Sequence, residues 1–252
     1  MDPYLWQLPL LFVVGIVAGV LNVVAGGGSL MTLPLLIFMG LPGAMANGTN
    51  RVAIFCQSIF AIRGFRRRGM LPLQLALLCT PPALVGCWVG ANVAITLDDV
   101  IFKRVLALIM IGVLIFTAID PMKRFRQQQE VDLTPARKLF LMVSFFVVGI
   151  YGGFVQAGVG FLIITALLIQ GLDLVRINAV KAFVIFTYTF IALGVFIYHG
   201  QIDWALGIAL AAGNSIGGMI GPKLAVDKGH DWIKKVVTAT VAVFALKLLF
   251  FP

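Results

Sequence analysis

The sequence predicts an all-α polytopic membrane protein built from two homologous halves arranged as an inverted repeat. Three observations lead there. Hydrophobic residues make up 61% of the chain and charged residues 12%, about half the charge of a soluble domain, and the mean hydropathy is +1.05. Glycine-rich breaks interrupt long apolar runs at corresponding places, Ala25-Gly26-Gly27-Gly28-Ser29 and Ala157-Gly158-Val159-Gly160-Phe161. Beyond the breaks one constant spacing pairs Asn47 with Asn178, Phe55 with Phe186, Gly69 with Gly200, Gly86 with Gly217, Gly90 with Gly221, Ala94 with Ala225, Lys103 with Lys234 and Pro121 with Pro252.

The first repeat is expected over 1–122, as a broken hairpin at 8–40 and helices at 45–62, 71–93 and 100–119. Leu8 to Val24 is apolar except for Asn22, and Leu30 to Met39 is apolar again around Thr32 and Pro34. Each intervening glycine costs about 1 kcal/mol of helix propensity against alanine. Freed backbone groups in lipid are tolerated only where protein or a water-filled cavity satisfies them. Met1-Asp2-Pro3-Tyr4 lacks the positive n-region of a cleavable signal, so the first apolar stretch is expected to stay. A turn at Gly40-Leu41-Pro42-Gly43 leads to the helix at 45–62, closed by a loop with Arg63, Arg66, Arg67 and Arg68. The helix at 71–93 holds Pro81-Pro82 and the pair Gly86 and Gly90, a GxxxG spacing that lets helices approach closely in lipid.

A polar cytoplasmic linker follows at 123–138, centred on Gln127-Gln128-Gln129-Glu130. The second repeat, 139–252, has a broken hairpin at 139–170 and helices at 177–198, 204–225 and 232–251. Gly149-Ile150-Tyr151-Gly152-Gly153 aligns with Gly15-Ile16-Val17-Ala18-Gly19, which sets Gln156 opposite Asn22; after a two-residue gap, Gly158 and Gly160 fall opposite Gly26 and Gly28. Gly217 and Gly221 repeat the GxxxG, so the same packing contact is expected in both halves.

The basic residues decide how often the chain crosses, because cytoplasmic loops are rich in Lys and Arg. Leu8 to Val24 gives about 25 Å of helix and Leu30 to Met39 about 15 Å, enough for one over-long span or a bent hairpin. With the Arg63–Arg68 loop inside and each broken element a hairpin, fifteen of the nineteen Lys and Arg fall inside, leaving Arg51, Lys103, Arg104 and Lys247. If each element were a full span, roughly half would move outside. The inverted arrangement follows, with both termini extracytoplasmic.

In that arrangement the breaks enter from opposite faces and meet near the midplane. Half-helices starting at Ser29 and Phe161 would aim free N–H groups there, with about half an elementary charge each, a ready anion site. Ser29 adds a hydroxyl, and Asn22 and Gln156 add amides. A second polar cluster follows each break, Asn47-Gly48-Thr49-Asn50-Arg51 and Asn178-Ala179-Val180-Lys181, with Asp173 the only acidic residue near either. Arg51 and Lys181 read either as ligands of an anion, as intramembrane charges usually are functional, or as anchors snorkelling to headgroups. Asn214 reads as a ligand or as an interhelical hydrogen bond. The candidate substrate-binding residues are Asn22, Gly26, Gly27, Gly28, Ser29, Asn47, Thr49, Asn50, Arg51, Gln156, Gly158, Gly160, Lys181 and Asn214.

These residues carry a resemblance. Gly15-x-x-Ala18-Gly19, then Ala25-Gly26-Gly27-Gly28-Ser29 with Pro34, then Asn47-Gly48-Thr49-Asn50 resembles the TauE/SafE family of anion permeases, and Gly149 to Leu168 with Asn178-Ala179-Val180-Lys181 is similar to that family's second half. The likeness covers essentially the whole chain. It implies a bacterial inner-membrane transporter, an exporter of sulfur-containing anions such as sulfite or organosulfonates. The second break departs from the pattern, lacking the third glycine and the serine.

The expected function is therefore a secondary transporter that binds a small anion between the breaks, with a passive anion channel as the alternative. An intramembrane enzyme is the remote reading, since His199 and His230 fall in expected loops and no HExxH or GxSxG is present. No GxxxxGK[ST] nucleotide loop occurs, and no His, Cys or carboxylate cluster suits a metal. Cys56, Cys79 and Cys87 read as packing residues. No cofactor and no nucleic acid partner are expected: the net charge of +9 records cytoplasmic loops. The expected partners are the anion and membrane lipid, with the coupling ion and any homo-oligomer left open.

Overall fold

The computed structural model describes residues 4–119, 133–168 and 171–227. They form α1 (Tyr4–Val24), α2 (Ser29–Phe38), α3 (Gly43–Arg67), α4 (Leu73–Thr96), α5 (Asp99–Ile119), α6 (Pro135–Phe154), α7 (Val159–Leu168), α8 (Leu174–Tyr198) and α9 (Trp204–Asp227). Most of the expected linker, Pro121 and the helix expected at 232–251 with Lys234 lie outside the described residues. Among the described helices, five are long and apolar enough to cross a membrane, namely α1, α4, α6, α8 and α9.

Among the described residues the expected helices are present, most with longer ends, although α4 begins at Leu73, two residues later than expected. α3 continues past Ile62, so Arg63, Arg66 and Arg67 ride on its last turns rather than in a loop; cations are favoured there because they face the carbonyl end of the helix dipole. Gly69, with φ +67°, then turns the chain. α6 begins at Pro135, after Thr134 accepts a hydrogen bond from the Arg137 N–H, so Arg137 and Lys138 belong to a helix and not to the linker. α8 begins at Leu174, where Asp173 accepts from the Val175 and Arg176 N–H groups. Arg51 and Lys181 therefore sit two turns inside their helices.

Corresponding helices have matching lengths: 10 residues in α2 and α7, 25 in α3 and α8, and 24 in α4 and α9. The breaks match as well, residues 25–28 and 155–158. Gln156 thus occupies the place of Gly26, both in the left-handed region at φ 65° and 77°. This corrects the alignment of Gln156 with Asn22, because equal loop lengths carry more geometric weight than matched glycines.

Packing exchanges elements between the two halves. α1 lies along α9, where a Cβ on Gly15 would meet the Leu210 carbonyl, one on Gly19 the Asn214 carbonyl, and one on Gly221 the Val23 side chain. In the same way α4 lies along α6: Gly86 abuts Phe146, Gly90 abuts Ile150, Gly149 abuts Ala83 and Gly153 abuts Cys87, each against backbone. Both GxxxG pairs are therefore used, each against the other half's broken helix. Close backbone approach is how helices gain van der Waals contact where lipid removes the hydrophobic drive. Gly90→Val should cost about 1–3 kcal/mol by overpacking and lower the melting temperature in detergent by about 5 °C. Gly112→Val, in open space, should leave it unchanged.

Residue order along each contact gives helix direction. Numbers rise together along α1 and α9, and along α3 and α9, where Thr49 meets Gly207, Gln57 meets Gly218 and Gly64 meets Pro222. Along α3 and α8 they run oppositely. Gly48 and Arg51 touch Phe196, Phe55 stacks on Phe186 at 5.0 Å, and Phe65 clusters with Ala179 and Ala182. The equivalent residues Phe55 and Phe186 mark the middle of that antiparallel crossing.

Candidate functional site

The two breaks touch. Gly26 and Gly160 lie backbone to backbone, so that a Cβ on either would overlap the other's Cα. Gly28 packs against the Ala18 carbonyl, turning the start of α2 back onto α1. Ending a helix inside a protein leaves carbonyls without partners, and the polar clusters of α3 and α8 supply them across the molecule. Asn178 Nδ2 donates to the Val24 carbonyl at 3.0 Å, and Lys181 Nζ donates to the Val23 carbonyl at 2.9 Å. Reciprocally, Asn47 Nδ2 donates to the Phe154 carbonyl at 2.6 Å, and Arg51 Nη2 to the carbonyls of Gly152 and Gly153. Each half thus caps the broken helix of the other.

Arg51 is wholly buried and Lys181 is 1% exposed, which removes the snorkelling alternative for both. Among the described residues neither has a carboxylate partner: besides the carbonyls, Lys181 donates to Asn178 Oδ1 at 2.6 Å, and the Arg51 guanidinium lies over the Phe196 ring. A buried charge without an opposite charge is costly.

A cavity of about 20 Å³ opens beside the first break. Its polar lining is Asn22, Ser29, Gln57, Ser58, Gln156 and Lys181, with Gly26 contributing backbone and no acidic residue among the lining. Two of the three Lys181 ammonium donors are used by Val23 and Asn178, leaving one. Asn22 ties the wall together, donating to Gln57 Oε1 at 3.3 Å and accepting from the Ser29 N–H at 3.2 Å. The Ser29 N–H is thus already engaged, contrary to the expectation of a bare helix start.

Of the expected site residues, Asn22, Gly26, Ser29, Gln156 and Lys181 reach this cavity. Gly27, Gly28, Gly158 and Gly160 shape the breaks without lining it. Asn47 and Arg51 cap α6, Asn50 Oδ1 accepts from Thr32 at 2.6 Å, and Thr49 Oγ1 accepts from the Asp203 N–H at 2.9 Å. Asn214 is buried in the α1–α9 crossing against Gly15 and Gly19, away from the cavity. Gln57 and Ser58 escaped the sequence reading, although two adjacent polar residues in the middle of a helix inside the bundle are a signal in themselves.

Broken helices meeting around a buried, cationic, acid-free cavity in an apolar bundle define a membrane transporter. The profile of the family described as "Sulfite exporter TauE/SafE" matches residues 11–248. The chain belongs to the TauE/SafE family. It is 27% identical to "Probable membrane transporter protein ORF9" of Sinorhizobium sp, over 97% of this chain and 93% of that one. It is 27% identical to a "Probable membrane transporter protein" of Haemophilus influenzae, over 99% and 97%. The identity is 28% to "Probable membrane transporter protein YfcA" of Escherichia coli K12, over 96% and 90%. No solved structure matches the chain. The chain is thus a multi-pass membrane protein of a transporter family and not an enzyme.

Proposed function

We propose that the protein is a secondary transporter that exports small sulfur-containing anions, such as sulfite or organosulfonates, across the bacterial inner membrane. The observation that carries this is Lys181: a buried cation with only neutral partners, lining an acid-free cavity where the two helix breaks meet. An anion supplies the missing opposite charge, and Ser29, Ser58 and the amides of Asn22, Gln57 and Gln156 supply further hydrogen-bonding groups. The family description adds sulfite as the chemical class.

Helix direction supports the hairpin and the inverted repeat. α1 and α3 both run parallel to α9, so the intervening α2 returns the chain to its starting side; its ten residues reach about 15 Å, half the hydrocarbon core. The antiparallel crossing of α3 and α8, which are equivalent helices, fits halves of opposite orientation. With Arg63–Arg68 inside, the N-terminus and the C-terminus are extracytoplasmic.

A sulfur oxyanion is larger than a cavity that admits about one water, so transport requires the cavity to widen and close again. That favours a carrier over an open pore. The test is a thermal-stability screen of purified protein with sulfite, thiosulfate, sulfoacetate, isethionate, taurine and sulfate. At a hundred times its dissociation constant the true ligand adds about 2.7 kcal/mol, a rise of roughly 5–10 °C. If none of these raises the melting temperature, the substrate class is wrong.

A further inference from the structure

Equivalent residues of the two halves line the cavity together: Ile54 with Ile185, Ser29 with Val159 and Gly26 with Gln156. Counting 131 residues on from its wall, Gln57 corresponds to Tyr188 and Ser58 to Thr189. Two polar ties lie here: Asn22 Nδ2 donates to Gln57 Oε1 at 3.3 Å, and Gln156 Nε2 donates to Thr189 Oγ1 at 3.0 Å. Tyr188, beside Gln156, and Arg51 are fully buried, with Phe196 over the guanidinium at 4.8 Å.

Several buried polar atoms are left unpaired there. Arg51 Nη2 is bonded, but Nε and Nη1 have no hydrogen-bond partner among the described residues, and the Tyr188 hydroxyl has beside it only Gln156, whose Oε1 is itself unpaired. The hydroxyl lies over Gly152, where an added Cβ would stand 3.0 Å from it, and the Gly152 carbonyl is one that Arg51 grips at 3.0 Å. So the guanidinium and the phenol both lie at Gly152. A guanidinium cannot shed its charge, and none of its bonds in the structure goes to a carboxylate. Buried unpaired donors around a buried cation call for an acceptor that bears negative charge. Gln156 joins the two places: it lines the Lys181 cavity, and its side chain also reaches Tyr188.

We propose that Arg51 and the Tyr188 hydroxyl form a second anion station, adjoining the Lys181 cavity across Gln156, which the transported anion occupies on its way to the other face. This rests on the anion-transporter reading above. The Lys181 station takes the anion first in the conformation seen here, and the Arg51 station takes it when Phe196 and Tyr188 move apart. The paired offset of the charges, Lys181 opposite Asn50 and Arg51 opposite Ala182, makes the stations chemically distinct, an amine at one and a guanidinium with a phenol at the other.

Tyr188→Phe is the test, because it keeps the ring and removes only the hydroxyl; Arg51 variants risk uncapping α6. Sulfite is the probe, with melting-temperature titration in detergent for binding and [35S]sulfite counterflow in proteoliposomes for transport. The Phe variant is expected to keep the half-saturating sulfite concentration within twofold while counterflow falls about tenfold or more, the effect of losing one hydrogen bond to a charged group. A Tyr188→Phe protein that transports at the wild-type rate overturns the second station. So does one that loses binding and transport in proportion, which would mean a single site. Arg51→Lys, retaining charge but not Nε, should show the same split if it folds. If wild-type protein neither binds nor transports sulfite, the sulfite form of the transporter reading fails and the station falls with it. If Lys181→Ala alone loses sulfite binding and Tyr188→Phe behaves as wild type, only the second station fails.

Discussion

Lys181→Ala is expected to abolish anion binding while leaving a folded protein. Among the described residues the ammonium is the only cation lining the cavity, and truncating one partner of a buried charge pair costs on the order of 2–5 kcal/mol. The dissociation constant for sulfite should therefore rise about 100-fold or more, and the anion-induced rise in melting temperature should vanish. The variant also strips a donor from the Val23 carbonyl and from Asn178, so the unliganded protein should melt a few degrees lower. Lys181→Met, which keeps most of the stem volume, separates the two effects: it should recover part of the packing loss but none of the binding. Anion binding unchanged in both variants would remove Lys181 from the site and leave the cavity without its defining charge.

The largest expected loss of stability is at Gly26. Its φ of +77° lies in the left-handed region, and a Cβ there would overlap the Gly160 Cα. Gly26→Ala should cost about 1–2 kcal/mol in backbone strain plus about 1–3 kcal/mol for the forced separation of two backbones. Together these lower the melting temperature on the order of 10 °C, and transport should fall with the loss of contact between the breaks. Gly69→Ala is the control, since Gly69 has φ +67° but open space around it, so it pays strain alone. Equal losses in the two variants would show that the Gly26–Gly160 contact contributes nothing beyond its backbone conformation.

Much of this architecture is legible along the chain. The breaks at Gly26 and Gly158, the matching of α3 with α8 and of α4 with α9, and the use of both GxxxG pairs all follow from spacing, because small residues and helix breakers act locally. Boundaries were less legible. Arg63, Arg66 and Arg67 look like loop residues by polarity, yet their helix continues because basic side chains suit its carbonyl end. Gln156 looked like the partner of Asn22 because glycines were matched to glycines, whereas the left-handed turn of the second break is made by Gln156 itself.

The site was legible in part. Asn22, Ser29 and Lys181 stand out as polar residues within apolar sequence, and they do line one cavity. Arg51 stands out just as strongly, yet it caps α6 on the other side of the break contact, and Gln57 and Ser58 passed unnoticed between more conspicuous neighbours. Composition and spacing by themselves determined a membrane bundle, its broken helices and the presence of buried cations, since each depends on local propensity and on the cost of polar groups in lipid. Only the tertiary structure decided which polar groups share a cavity. Arg51 and Lys181 are out of register by one residue between the halves, about 100° around a helix; the lysine lines the cavity, whereas the arginine turns to the Gly152 and Gly153 carbonyls that end α6.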